Sequence, residues 1–207
     1  MSFTPLQSLR KISQPPARWL VRRALRRLVA IALVMLYAIF YIHAQTAKPS
    51  EYAVKAAYLY NFGKFINWPA ASTQTGSASF DICLLGRDPF GPTLQAAVAH
   101  ETLGGKQIVV RQIDALSDTA DCRVLFISTS EAKRLKQILA ALGRASVLTV
   151  SDLPEFTERG GMVQFVLQGD RVRFEVNSAS AERAGLTLSS DLLKVAVNVR
   201  RNAEVGD

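Results

Sequence analysis

Two glycines five residues apart follow an apolar stretch in the segment FDICLLGRDPFGPT, residues 80–93. A nucleotide-binding P-loop has this spacing, followed by a lysine for the phosphates and a hydroxyl for Mg²⁺. Gly86, Gly91 and Thr93 match, but Pro92 occupies the lysine position, and Pro89 removes another backbone N–H. A phosphate cradle is built from such N–H groups. The segment is therefore predicted to be a strand-to-helix turn rather than a phosphate site.

The carboxyl edge of a parallel sheet is nevertheless where ligands tend to bind in open α/β folds. One hypothesis for this chain is therefore a small-ligand-binding module at that edge. We expect its cleft to be lined by Gly86, Asp88, Gly91 and Asp152.

Other patterns with catalytic potential are incomplete. SEAK, residues 130–133, matches the S-x-x-K of penicillin-recognising enzymes, but S-D-N and K-T-G are missing. Ser130 is better interpreted as a helix cap, and a hydrolase using Ser130 and Lys133 is kept only as a third hypothesis. His100 is the single histidine after residue 45, so neither a zinc site nor a Ser-His-Asp triad is predicted. We expect no catalytic residue, no metal and no cofactor.

The basic excess of the chain is concentrated at its N-terminus. Seven of the 25 basic residues and none of the 17 acidic residues precede residue 45, so the charges of the remainder nearly cancel. Without a concentrated basic face, nucleic-acid binding is not expected.

The same N-terminal segment has the parts of a secretory signal. Arginines precede the apolar run LVAIALVMLYAIFYI, residues 28–42, and the small Ala44 follows it. We predict a signal peptide over residues 1–44, with an uncleaved N-terminal anchor as the alternative. Residues 45–207 are then a single exported domain, which we place in the periplasm.

Cys83 and Cys122 are the only cysteines, and each lies in a predicted strand. An even count in an oxidising compartment favours a disulfide. The first and third strands of a doubly wound sheet are usually neighbours, about 4.8 Å apart, which suits disulfide geometry. The alternative is two buried thiols packed as small apolar groups.

Strands and helices alternate through the exported part. Helices are predicted over 51–66, from 92 onwards, over 130–143 and over about 178–200 with a break near Gly185. Residues 162–177 have the alternation of a β-hairpin with its turn at Gly169-Asp170. The predicted fold is α/β, a three-layer α/β/α arrangement with a mixed, mostly parallel sheet and a C-terminal hairpin plus helix.

Four stretches in series, covering about residues 51–198, resemble the YfiR family of periplasmic proteins. They are VKAAYLYNFGKFINWP, CLLGRDPFG, LTVSDLPEFTERGGMVQFVLQGDRVRFEVN and AERAGLTLSSDLLKVA. The resemblance implies an exported α/β regulator that is not an enzyme and that forms a homodimer. It also implies a partner, the periplasmic domain of an inner-membrane GGDEF diguanylate cyclase, which the regulator holds inactive. Cyclic di-GMP and biofilm formation would fall as a result.

The resemblance also bears on the disulfides. Cys83 and Cys122 match the positions of one family disulfide. A second pair found in the best-known member is absent here, because Thr157 and Gln164 stand about where it would fall.

A regulator of this kind needs a binding surface rather than an active site, and the sequence offers two. The first is the segment LPEFTERGGM, whose candidate residues are Phe156, Glu155, Glu158, Arg159 and Met162. Phe156 is equally compatible with an exposed anchor and with a core position. The second is the helix that carries Tyr58, Phe62, Phe65 and Trp68, for which core packing is the preferred interpretation.

Overall fold

The computed structural model describes Arg22 and residues 25–35, 49–69 and 78–201. The chain divides into two compact units, Met1–Lys48 and Pro49–Asp207. In the first unit the described residues are helical and exposed, and the predicted cleavage site after Ala44 lies outside them. No helix in these described stretches is long and apolar enough to cross a membrane.

The second unit has an eight-stranded mixed sheet and a separate two-stranded ribbon. The strands are β1 (Ile66–Asn67), β2 (Ser79–Leu85), β3 (Thr102–Leu103), β4 (Lys106–Ile113), β5 (Cys122–Ile127), β6 (Leu148–Ser151), β7 (Val163–Gln168), β8 (Arg171–Asn177), β9 (Thr187–Leu188) and β10 (Asn198–Arg200). The order in the large sheet is β10-β8-β7-β6-β5-β2-β4-β3, and β1 pairs with β9. Strands β4, β2, β5, β6 and β7 are mutually parallel. The predicted hairpin is the antiparallel pair β7–β8.

Among the described residues of the second unit, five α-helices accompany the strands. They are α1 (Glu51–Phe62), α2 (Pro92–Val98), α3 (Leu135–Leu142), α4 (Ser178–Arg183) and α5 (Ser190–Val195). Local sequence explains several of their ends. Ser50 caps α1 by accepting a hydrogen bond from the backbone N–H of Ala53, 3.2 Å away. Pro92 stands at the start of α2, where its missing N–H has no cost, and α3 ends at Gly143.

The sheet is covered on both faces because its strands alternate between two cores. On β2, Ile82 and Leu84 face the larger core with α1 and α2, whereas Cys83 and Leu85 face the smaller core with α3. This confirms the predicted three-layer α/β/α fold with a mixed, mostly parallel sheet.

Cys83 and Cys122 form a disulfide between the neighbouring strands β2 and β5, with their Cα atoms 5.8 Å apart. Both residues are buried in the smaller core. The choice between a bridge and two free thiols is thereby resolved in favour of the bridge.

Three details of the predicted helices were wrong. The helix expected over 51–66 ends as an α-helix at Phe62, and a 3₁₀ turn, Gly63–Phe65, then leads into β1. The expected final helix over 178–200 is instead α4, β9, α5 and β10, with the predicted break at Gly185. Ser130 does not cap α3, which begins only at Leu135. The serine that caps here is Ser128, whose Oγ accepts from the N–H of Ser130 at the start of a 3₁₀ turn.

Candidate functional site

The segment from 152 to 162, which we call the 152–162 loop, is a compact turn between β6 and β7. Its central aromatic, Phe156, is 0% exposed and packs in the smaller core with α3. Gly161 makes this possible, because a Cβ at that position would lie 2.1 Å from the Phe156 ring. The N–H of Gly161 also donates to the carbonyl oxygen of Phe156 at 2.8 Å. The interpretation of Phe156 as an exposed anchor is therefore wrong, and buried Met162 cannot present a surface either.

The charged side chains of the loop remain on the surface. Glu155 is exposed and has φ of +57°, an unusual backbone conformation for a residue other than glycine. Glu158 forms an ion pair with Arg200 at the end of β10. Arg159 donates from Nη2 to the carbonyl oxygen of Ala132 at 3.3 Å. The loop thus presents charged groups while its aromatic residue holds it to the core.

A polar network occupies the position of the missing second bridge. The N–H of Thr157 donates to Oε1 of Gln164 at 3.3 Å, and Nδ2 of Asn177 donates to the carbonyl oxygen of Thr157 at 2.8 Å. Thr157 is fully buried. Hydrogen bonds therefore hold the loop to β7 and β8 at the place where the second disulfide of the best-known family member would fall.

Three of the four residues predicted to line a ligand cleft, Gly86, Asp88 and Gly91, lie on the turn between β2 and α2. Gly86 has φ of +87°, and a Cβ there would lie 2.5 Å from Ser130 Oγ. Ser130 Oγ accepts from the N–H of Arg87 at 2.9 Å. Asp88 accepts from the N–H of Phe90 at 2.7 Å, which closes a local turn. Gly91, with φ of +53°, leads into α2.

Asp152, the fourth predicted cleft residue, is held by the first turns of α1. Its Oδ2 accepts from Tyr52 OH at 3.0 Å and from Lys55 Nζ at 2.9 Å. Lys55 is only 3% exposed and also pairs with Glu51 at 2.6 Å. Burial lowers the pKa of Lys55, but the hydrogen bonds that its Nζ donates to Glu51 and Asp152 outweigh burial, so the pKa is raised overall. Burial, reinforced by the Asp152 charge, raises the pKa of Tyr52.

A cavity of about 330 Å³ does lie at the carboxyl edge, but a different set of residues lines it. We call it the carboxyl-edge cavity. Its apolar lining includes Leu85, Leu116 and Ile138, and its polar lining consists of Asp114, Arg134 and Gln137. Asp114 follows β4 directly, and Leu85 is the last residue of the neighbouring strand β2.

The sequence did not single out these polar residues, because they lie on two segments with no shared motif. The one indication in the sequence was the position of Asp114, which directly follows a strand that ends at the carboxyl edge of the sheet. Lys55 was also missed, although a lysine within the apolar pattern of α1 was a visible irregularity.

The aromatic residues of the second candidate surface mostly pack in the core, in agreement with the preferred interpretation from the sequence. Phe62 is buried, and Tyr58 packs against Phe165 and Phe174. Trp68 contacts Phe80 edge to face at 5.6 Å. Phe65 is the exposed member, at 38%.

The third hypothesis, a hydrolase that uses Ser130 and Lys133, has no support from the arrangement of these side chains. Ser130 Oγ is occupied by the Arg87 N–H, and Lys133 is exposed. Within the described ranges no group of three or more His, Cys, Asp or Glu residues is placed to hold a metal ion.

Comparisons with known proteins give a fold relative and a family. A conserved domain protein from Vibrio cholerae O1 biovar El Tor has a similar structure, with a TM-score of 0.50 at 12% identity over 74% of this chain. The ABC domain of Streptococcus pneumoniae in complex with L-Trp matches over 58% of this chain, with a TM-score of 0.44 at 12% identity. The matched regions span 62% and 55% of those chains.

No curated protein matches this sequence. A YfiR/HmsC-like family match, in contrast, covers residues 52–197, which include the 152–162 loop, the disulfide and the carboxyl-edge cavity. The chain belongs to the YfiR/HmsC-like family.

Proposed function

We propose that this protein is a periplasmic regulatory binding protein that represses a membrane diguanylate cyclase through the periplasmic sensor domain of the cyclase. Membership of the YfiR/HmsC-like family, a family of regulators, carries the proposal. Repression would lower cyclic di-GMP in the cytoplasm and thereby biofilm formation. A repressor of this kind works by binding the inactive state of its partner better than the active state.

The exposed part of the 152–162 loop is the surface that we assign to the partner. Glu155, Glu158 and Arg159 point outward from a segment that is fixed beneath by Phe156. A fixed loop loses little conformational freedom on binding, which favours affinity. The left-handed backbone at Glu155 supports the assignment, because such strained residues cluster at functional positions.

Export and assembly belong to the same proposal. Residues 1–44 direct the chain to the periplasm, and two copies form a homodimer. Fusion of residues 1–50 to alkaline phosphatase should give active enzyme, which requires the periplasm. The mass measured by light scattering should be twice that of the exported chain. An inactive fusion would contradict export, and a monomeric mass would contradict the dimer.

The direct experiment captures the partner and measures its product. The tagged protein should retain a membrane GGDEF protein from solubilised membranes, and its expression should lower cellular cyclic di-GMP. The double variant Glu155→Lys/Glu158→Lys should lose both effects. The control for a charge reversal elsewhere on the surface is Asp191→Lys, because Asp191 is an exposed acid in an ion pair with Lys194 on α5.

The outcomes separate the function from the surface. If the wild-type protein neither retains a GGDEF protein nor changes cyclic di-GMP, the proposed function fails. If the double variant represses as well as the wild type, repression stands and the loop is not the contact surface. If the Asp191→Lys control loses repression equally, the charge effect is not specific to the loop.

A further inference from the structure

The carboxyl-edge cavity has the size and position of a small-molecule site. Its volume, about 330 Å³, lies at the lower end of the range typical of ligand pockets. It opens where the parallel strands β2 and β4 end, and α3 forms its other wall. The crevice outside the carboxyl ends of the strands is the usual ligand position in open α/β sheets.

The floor of the cavity is apolar and belongs to the smaller core. Leu85 and Ile138 are 1% and 3% exposed, and half-buried Leu116 lies beside them. These side chains are fixed by packing, so the floor exists before any ligand arrives. Such a surface suits a compact apolar group, which would gain from leaving water.

The charges in the lining favour a cation. Arg134 is already neutralised, because its Nε and Nη2 donate to Glu131 Oε2 at 2.9 and 2.6 Å. The side chains of Asp114 and Gln137 have no hydrogen-bond or ion-pair partner in the part of the chain that the structure describes. The uncompensated charge among the lining residues is therefore the carboxylate of Asp114.

We propose that the carboxyl-edge cavity binds a small organic cation, an amine with an apolar body, through Asp114. The ammonium group pairs with the Asp114 carboxylate, and the apolar body lies on Leu85 and Ile138. Gln137 is available to hydrogen-bond a further polar group of the ligand. This site is separate from the 152–162 loop and does not depend on cyclase repression.

The test uses three probes with the same aromatic body and different charge. 2-Phenylethylamine is the cation, 3-phenylpropionate the anion and 2-phenylethanol the neutral compound. Binding to the exported protein is measured by titration with amide chemical shifts as the readout. The amine should shift resonances of the cavity residues saturably, and the anion should bind about tenfold more weakly or worse, a difference of about 1.4 kcal/mol.

Three variants locate the site. Asp114→Asn should weaken amine binding about tenfold or more, whereas Asp191→Asn, which removes an exposed charge on α5, should not. Ala141→Phe should block the cavity, because Ala141 lines it from an exposed position of α3. Neither Asp114 nor Ala141 is buried, so unchanged thermal unfolding is expected and verifies that the variants fold.

The proposal is overturned if the anion or the neutral compound binds as well as the amine. It is also overturned if Asp114→Asn leaves amine affinity unchanged, or if no amine binding is detected up to the solubility limit of the probe. None of these results bears on repression of a cyclase.

Discussion

The contact between Gly161 and Phe156 gives the sharpest test of how the 152–162 loop is fixed. A Cβ at position 161 would lie 2.1 Å from Cε1 and 2.3 Å from Cδ1 of Phe156, whereas carbon atoms normally approach to about 3.5–4.0 Å. Gly161 does not occupy the left-handed region of φ, so Gly161→Ala adds a steric conflict and little backbone strain. We expect a loss of about 1–3 kcal/mol in the free energy of unfolding, the usual cost of overpacking.

A double-mutant cycle isolates that conflict. Phe156→Ala alone should cost about 3–5 kcal/mol, since it empties a fully buried position. Once the ring is gone, the methyl group that Gly161→Ala adds has room, so the double variant should be about as stable as Phe156→Ala alone. The coupling energy should therefore match the cost of Gly161→Ala, about 1–3 kcal/mol.

The measurement is urea-induced unfolding of the four proteins, followed by circular dichroism. Additive costs, within about 0.5 kcal/mol, would refute the packing argument, as would a neutral Gly161→Ala. Gly160→Ala is the comparison for backbone strain, because Gly160 has φ of +101° and a Cβ there would meet only Leu139 Cδ1, at an ordinary contact distance of 3.9 Å. Its cost should be unaffected by Phe156→Ala.

Three further predictions concern the disulfide, the buried lysine and a helix cap. Cys83→Ala/Cys122→Ala should lower the free energy of unfolding by about 4 kcal/mol, from the chain entropy of a bridge between residues 39 apart. A reductant should lower the free energy of unfolding of the wild type by a similar amount and leave that of the variant unchanged. Equal stability of wild type and variant without reductant would contradict this prediction. Lys55→Met should cost roughly 3 kcal/mol or more at neutral pH, because a buried carboxylate loses its cation. The folded pKa of Lys55 is raised, so its contribution is complete below the unfolded pKa of about 10.4 and is lost as the pH rises through the folded value. As the pH is raised, the difference in the free energy of unfolding between wild type and Lys55→Met should therefore decrease. An increase in that difference would contradict the raised pKa of Lys55. Ser189→Ala should cost about 1 kcal/mol by removing the cap of α5, whereas Ser190→Ala, one position inside the helix, should not; equal thermal shifts would count against the cap.

The sequence predicted the central fold because its strongest signals are local and repeated. Continuous apolar runs between Gly and Pro turns marked β2 and β5, and alternation around Gly169 marked the hairpin. The prediction of helix near Asn198 was wrong because the sequence VAVNVR is compatible with a helical pattern as well as with a strand. These residues form a strand because they pair with β8, and β8 lies more than 20 residues earlier in the chain.

The candidate surface was less predictable because burial depends on distant partners. Phe156 lies in a polar segment, and nothing local indicates that the absence of a side chain at Gly161 leaves room for its ring. The contacts of the predicted cleft residues were hidden from the sequence for the same reason. Asp152 does lie at the carboxyl edge, but Lys55 and Tyr52, about 100 residues earlier, take up its Oδ2.

The segment from 128 to 134 connects the two sites that we propose. Arg159 of the 152–162 loop donates to the carbonyl oxygen of Ala132, and Arg134, two residues further on, lines the carboxyl-edge cavity. The segment is held at its other side by the Arg87 N–H on Ser130. If both proposals hold, a cation in the cavity and a partner on the loop would act on the same short stretch of backbone. Such a shared element couples the two binding events only if the ligand binds the partner-bound and free forms with different affinity, and the coupling must then be equal in both directions.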